Sequence, residues 1–149
     1  MDYEIKQSFI NCEHFIGVFS RNNLPNKVYK RPCGLILNTD KVGDPGTHWV
    51  AIVFLKDKKG EYFDSFGFPP LYSEIKDYLN DNCENGWIYN PVTLQHSLSV
   101  SCGNYCVAFL KSRFNNHSFL KFVNSFGSNL KKNELILKNG LQNVWIHVR

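Results

Sequence analysis

The sequence predicts one α+β domain over residues 1–149, in which a small sheet, mixed or antiparallel, is flanked by helices. Three observations carry that prediction. Short windows rich in β-branched and aromatic residues, "CGLILNT", "THWVAIVFL" and "EYFDSFGF", lie between turn-forming clusters in the first half of the chain. Apolar residues at helical spacing follow in "PPLYSEIKDYLNDN" and "CGNYCVAFLKSRF". No stretch rich in Pro, Gly or Ser divides the chain, and no internal repeat is visible.

Taken in order, Asp2 to Ile10 reads as a short amphipathic helix with Tyr3, Ile5, Phe9 and Ile10 available for burial. "HFIGVFS" is a strand or extended segment, and "NNLPNK" turns the chain. Cys33 to Thr39 reads as a buried strand, closed by the loop "DKVGDPG". Thr47 to Leu55 is the strongest strand, and "KDKKG" makes a hairpin into a partner that ends near Asp64. A helix follows the Pro pair of "PPLYSEIKDYLNDN", with Leu71, Ile75, Tyr78 and Leu79 on one face. "GWIYNPVTLQ" reads as a strand broken at Pro91 and running on towards Gln95. A largely buried helix starts near Cys102, and short helices around Phe126-Gly127 complete the chain.

Composition narrows the function classes. At 149 residues, 43% of them hydrophobic, the chain can bury a core without disulfide staples. The five cysteines form no recurrent framework and no CxxC, so free thiols are expected and a zinc ribbon is not. The first residues lack the basic and apolar regions of a signal peptide, and apolar runs such as "HWVAIVFL" are too short to span a bilayer. A soluble intracellular protein without membrane contact is the expectation. A net charge of +4 and lysines at Lys56, Lys58, Lys59, Lys131 and Lys132 permit contact with nucleic acid but do not argue for it.

The stretch "SVSCGNYCVAFL" carries the chemistry. By residues alone its two cysteines can be part of a metal site, inert core thiols, or the seat of a nucleophile. At a helix start, the Cys102 thiol meets the positive end of the dipole and free backbone N–H groups, which favour the thiolate. Gly103 lets backbone approach closely, and Cys106, one turn on, should pack inward as a small hydrophobe. Among five histidines, His48 opens the strongest strand at a loop edge, where a side chain can serve as base. Asp64, ending the paired strand, can accept from the far nitrogen of His48 and fix its tautomer. Gln95, seven residues before Cys102, can add an amide N–H to the Cys102 backbone N–H for an oxyanion. Each residue alone reads as readily as packing, turn or loop; the order His, Asp, Gln, Cys on compatible elements does not.

Together "HFIGVFSRNNLP", "PCGLILNT", "GTHWVAIV", "YFDSFGF" and "LQ…SCGNYC" resemble the adenovirus-type cysteine endopeptidases (adenain), including relatives in Maverick/Polinton-type transposons and related viruses. The resemblance runs from about Cys12 to Leu110. It implies a papain-like, adenain-like cysteine protease fold with the nucleophile at a helix N-terminus. Carried over, Cys102 is the nucleophile, His48 the general base, Asp64 its orienting partner and Gln95 the oxyanion donor; Trp49 packs the cleft wall. Protein substrates follow, namely capsid or core precursors of a virus or virus-like element, cut near glycine-containing sites by a monomer in the host nucleus or virion. No cofactor or metal is needed for the chemistry. Adenain is stimulated by viral DNA and by a capsid-derived peptide disulfide-linked to a cysteine before the oxyanion Gln; Cys83 lies in roughly that region of this chain, though the stretch between it and Gln95 does not align cleanly.

The chain departs from adenain in three places. Asp64 stands where adenain has Glu, as in the related SUMO-specific proteases. "ENGWIYNPVT" departs from the pattern between Cys83 and Gln95, and the part after Cys106 is shorter. Two rivals follow: a protease for SUMO or another ubiquitin-like modifier, and a catalytically silent binding module that keeps the triad as structure. A metal-bound nucleic-acid module is the more distant third.

Overall fold

The computed structural model describes residues 1–28 and 30–143. Helix α1 (Asp2–Ser8) leads into strand β1 (Phe15–Ser20), and β2 (Cys33–Asn38), β3 (Trp49–Phe54) and β4 (Gly60–Phe63) follow. Helix α2 (Ser73–Asn82) precedes β5 (Trp87–Tyr89), and helices α3 (Cys102–Phe114), α4 (Phe119–Val123) and α5 (Leu130–Asn143) complete the described chain. The five strands lie in sequence order in one sheet. This is the α+β arrangement expected, and the sheet is mixed. β2, β3 and β4 are antiparallel neighbours, but the edge strands β1 and β5 run parallel to β2 and β4. The long 21–32 loop and the α2 crossover carry the chain back to the starting end of the sheet, which parallel pairing requires.

Every residue of β2 and β3 is buried because both faces of the sheet are covered, so these strands read as continuous apolar runs. Trp49, Ala51 and Val53 pack on one face with α3, whereas Val50, Ile52 and Phe54 pack on the other with Ile75 and Leu79 of α2. In α3 all residues but Asn104 and Arg113 are buried, so this helix is apolar nearly all round and forms the spine of the larger core. Phe63 stacks on Phe109 with centroids 4.6 Å apart, and Phe122 of α4 meets both rings edge-on at 5.5 Å. At its far end α3 is anchored by Arg113, whose Nε and Nη2 donate to the Glu61 carboxylate of β4 at 2.6 and 3.0 Å. Both side chains are largely buried, so this bidentate pair fixes the helix against the sheet.

Three expectations are corrected. Tyr3, Ile10 and Leu71, offered for burial in sequence, are exposed, and Leu71 precedes α2. β5 does not run on to Gln95: it ends at Tyr89, because Pro91 has no N–H for a ladder and the next segment bonds elsewhere. The chain after Phe126-Gly127 forms one 14-residue helix, α5, rather than a short one. Gly140, which weakens the helical pattern in sequence, is buried inside it.

Candidate active site

Cys102 opens α3 with its side chain largely buried, 7% exposed, against the start of β3. Two effects compete at its thiol. Burial raises its pKa. The facing His48 and the backbone N–H groups of Trp49 and Gly103 favour the thiolate more strongly and hold the thiol below its ordinary value of 9.0. Cys106, one turn on, is fully buried and pushed well up by desolvation, so it packs rather than reacts. The space beside Gly103 is occupied by the Met1 side chain.

His48 stands one residue before β3, where the strand register fixes its backbone: Thr39 N–H donates to the His48 carbonyl at 2.9 Å. Its Nε2 lies 3.0 Å from Asp64 Oδ1, and the Phe66 ring covers it at 5.2 Å between centroids. With Nε2–H held by the carboxylate, a neutral imidazole presents the Nδ1 lone pair. Nδ1 is buried with no nitrogen or oxygen partner, and the thiol of Cys102 is the group set against it. Burial opposes the imidazolium, but hydrogen bonding and charge from Asp64 and Cys102 outweigh it and push His48 up to about 9. Each group therefore favours the charged form of the other.

The turn after β4 builds the rest of the site. Asp64 Oδ1 also accepts from the Phe66 N–H at 2.7 Å, and the Gly67 N–H donates to the Asp64 carbonyl at 2.8 Å. Gly67 has φ +79°, and a Cβ there would meet the Val92 carbonyl carbon at 2.7 Å, so glycine is required twice over. Asn90, 1% exposed, grips Asp64 from the other side: its Oδ1 accepts from the Asp64 N–H at 3.0 Å and its Nδ2 donates to the Asp64 carbonyl at 2.7 Å.

Gln95 is buried in the loop that leads back to Cys102. Its backbone N–H and that of Leu94 both donate to the Ser65 carbonyl, at 3.0 and 2.8 Å. Its Oε1 accepts from Ser65 Oγ at 2.5 Å, and its Nε2 donates to the Ser99 carbonyl at 2.9 Å. Leu94 is tied in turn by Asn133 Nδ2 at 3.0 Å and by Tyr105 Oη at 3.3 Å. Tyr105 sits three residues after Cys102 on α3, so these bonds hold the loop against the Cys102 end of the helix.

Thus His48, Asp64 and Cys102 converge, and Gln95 is held beside them through the Ser65 turn. Cys83 lies elsewhere. It is 4% exposed on the opposite face of the sheet, against Gly60, and burial raises its thiol pKa. Sequence reasoning missed Ser65, Asn90 and Asn133. Ser65 and Asn90 are polar residues beside apolar ones in the sequence, whereas Asn133, between Lys132 and Glu134, carries no such signal. Among the described residues no three His, Cys, Asp or Glu side chains gather as a metal site, and no helix is long and apolar enough to cross a membrane.

A helix-borne cysteine set against a strand-borne histidine and its carboxylate, over a mixed sheet, is the architecture of the cysteine proteases. The chain is similar to viral members of that class. A cysteine protease of African swine fever virus from a Malawi tick isolate is 32% identical over 143 residues, covering 84% of this chain and 52% of that protein. The counterpart from a South African tick isolate, called a SUMO-1 cysteine protease, is 29% identical over the same coverage. The crystal structure of the African swine fever virus protease superposes with a TM-score of 0.54 at 25% identity, over 74% of this chain and 46% of that one. This chain spans about half the length of these relatives. No family model matches it.

Proposed function

We propose that this chain is a cysteine endopeptidase of the adenain-like group that cleaves precursor proteins of a virus or virus-like element near glycine-containing sites. The observation that carries the reading is the line Cys102–His48–Asp64, with His48 Nε2 held by the carboxylate and Nδ1 left open to the thiol. The viral origin of the similar proteins supports the substrate class.

The Cys102 thiolate attacks the scissile carbonyl carbon. A C–S bond forms, and the carbonyl electron pair moves to oxygen. That oxyanion is met by the Cys102 backbone N–H and by a Gln95 Nε2–H. As the oxyanion collapses, the C–N bond breaks and the His48 imidazolium gives its proton to the departing amine. Water then attacks the thioester with His48 taking its proton, and the acid is released as Cys102 is regenerated with that proton shared with His48. Trp49 and Phe66 exclude water around the pair. A cleft of about 490 Å³ is lined by Trp49, the 41–46 loop and Phe19, next to His48 in sequence but without His48 or Cys102 in its wall.

The chemistry needs no cofactor. Activation by DNA or a capsid-derived peptide, a monomeric state, and residence in the host nucleus or virion belong to the same reading. A peptide link through Cys83 would require its corner against Gly60 to open. Asp64 in place of Glu favours a second reading, a protease for SUMO or another ubiquitin-like modifier.

The test incubates the purified chain and its Cys102→Ala variant with glycine-containing peptides, and separately with a ubiquitin-like fusion, with and without DNA. Cleavage of the peptides, lost in the variant, supports the first reading. Turnover confined to the fusion selects the second. Absence of both, with Cys102 unreactive, leaves a silent binding module.

A further inference from the structure

We infer that Ser65 is a positioning residue that holds the Gln95 carboxamide in place beside the nucleophile's loop, in the orientation that the Ser99 carbonyl selects. The inference rests on the endopeptidase reading above and deepens its oxyanion site. Ser65 is wholly buried and Gln95 is 1% exposed, so neither side chain has water as an alternative partner. A carboxamide can turn over and exchange its donor and acceptor ends within the same volume. Turned over, it would set a partial negative charge where the oxyanion develops, and the contribution to catalysis would become a penalty.

One contact selects the orientation and a second holds it. The Ser99 carbonyl can only accept, so it faces Nε2, at 2.9 Å. The Ser65 hydroxyl could serve either end of the carboxamide; in the selected orientation it donates to Oε1 at 2.5 Å and holds the side chain in place. An NH2 group has two hydrogens, and among the described residues Nε2 has only the Ser99 carbonyl as protein acceptor. The second hydrogen remains for substrate. Ser65 also holds the Gln95 backbone, since its carbonyl accepts the N–H groups of both Leu94 and Gln95. Ser65 directly follows Asp64, the acceptor of His48 Nε2. One dipeptide at the end of β4 thereby sets both the base's partner and the oxyanion donor.

The test separates two reactions of Cys102. Alkylation by a haloacetamide is a displacement at carbon that builds no oxyanion, so it reports the thiolate–imidazolium pair alone. Peptide hydrolysis needs the pair and the oxyanion site. Ser65→Ala is expected to keep alkylation within about twofold while kcat falls about ten- to hundredfold with KM little changed, a part of what removing an oxyanion donor costs. Because Ser65 acts through Gln95, the Ser65→Ala/Gln95→Ala double variant is expected to be no slower than Gln95→Ala. Ser65→Thr keeps the donor and is expected to retain most of kcat.

Three results overturn the inference. One is Ser65→Ala with kcat within about twofold of wild type, and another is a double variant in which the two losses multiply. The third is parallel loss of alkylation and turnover in Ser65→Ala, which makes Ser65 a general packing residue. If wild type neither alkylates preferentially at Cys102 nor hydrolyses peptide, the endopeptidase reading fails and the inference falls with it.

Discussion

Replacing Asp64 with Asn tests the electrostatics of the pair with little change in shape. The carboxamide keeps an oxygen for the Phe66 N–H, which Asp64 Oδ1 accepts at 2.7 Å, but removes the charge and replaces the second acceptor oxygen with an NH2 donor. The rise of His48 from 6.5 to about 9 corresponds to roughly 3 kcal/mol in favour of the imidazolium, at about 1.4 kcal/mol per pKa unit. Burial acts against that rise, so Asp64 and Cys102 supply all of it. Without the Asp64 charge, the His48 pKa is expected to fall by a unit or more. The Cys102 thiolate, which depends on the imidazolium, becomes harder to form. The measurement is the rate of Cys102 alkylation by iodoacetamide against pH, followed by mass spectrometry. In Asp64→Asn the midpoint for thiolate formation should move up by about one unit or more, the alkaline loss of the imidazolium should move down, and peptide hydrolysis should fall by about 10²–10⁴. An alkylation profile superimposable on wild type would refute the reasoning, because the carboxylate would then contribute nothing to the pair.

Other predictions follow from the same structure. In wild type, hydrolysis should plateau between the lowered thiol value of Cys102 and the raised value of His48, with an alkaline limb near pH 9 in kcat/KM. The stability His48 contributes has the matching sign: a raised pKa contributes in full below pH 6.5 and is lost as pH rises through about 9, which chemical denaturation at pH 6, 8 and 10 would read. Glu61→Ala strips the partly buried Arg113 of its bidentate partner, leaving it the His117 carbonyl, and should cost about 1–3 kcal/mol, read by urea unfolding. Gly34→Ala would set a Cβ 2.9 Å from Leu110 Cδ2 and 3.1 Å from the Ile52 carbonyl. It should cost about 1–3 kcal/mol and lower the melting temperature.

The central strands were legible because burial on both faces leaves an unbroken apolar run, as in "CGLILN" and "WVAIVF". Helix α3 was legible because its apolar residues begin at a cysteine and continue to Phe114. His48, Asp64 and Cys102 could be found in sequence because each ends or opens a recognisable element, and ends of elements are where a cleft forms. The parallel edges were not legible. They depend on which end of the sheet the 21–32 loop and α2 return to, and no local pattern records that. The polar frame of the site was hidden for a related reason. Ser65, Asn90 and Asn133 act by bonds to residues 26 to 39 positions away, such as Asn90 to Asp64 and Asn133 to Leu94, and in sequence they read as turn or helix-surface residues. The segment 90–95 was misread as strand because its apolar Val92 and Leu94 alternate with polar residues, while its N–H groups bond to the Ser65 carbonyl instead of a ladder.

The central claim is that Cys102 is the reactive thiol because His48 makes it so. The most direct measurement treats the purified chain with a peptide vinyl sulfone bearing Gly next to the warhead. The adduct is located by mass spectrometry, beside Cys102→Ala and His48→Ala controls, without DNA and then with it. The account predicts one adduct, on Cys102, lost in both variants, while Cys12, Cys33, Cys83 and Cys106 stay unmodified. Equal labelling of the five cysteines, or labelling of Cys102 that persists undiminished in His48→Ala, would contradict it.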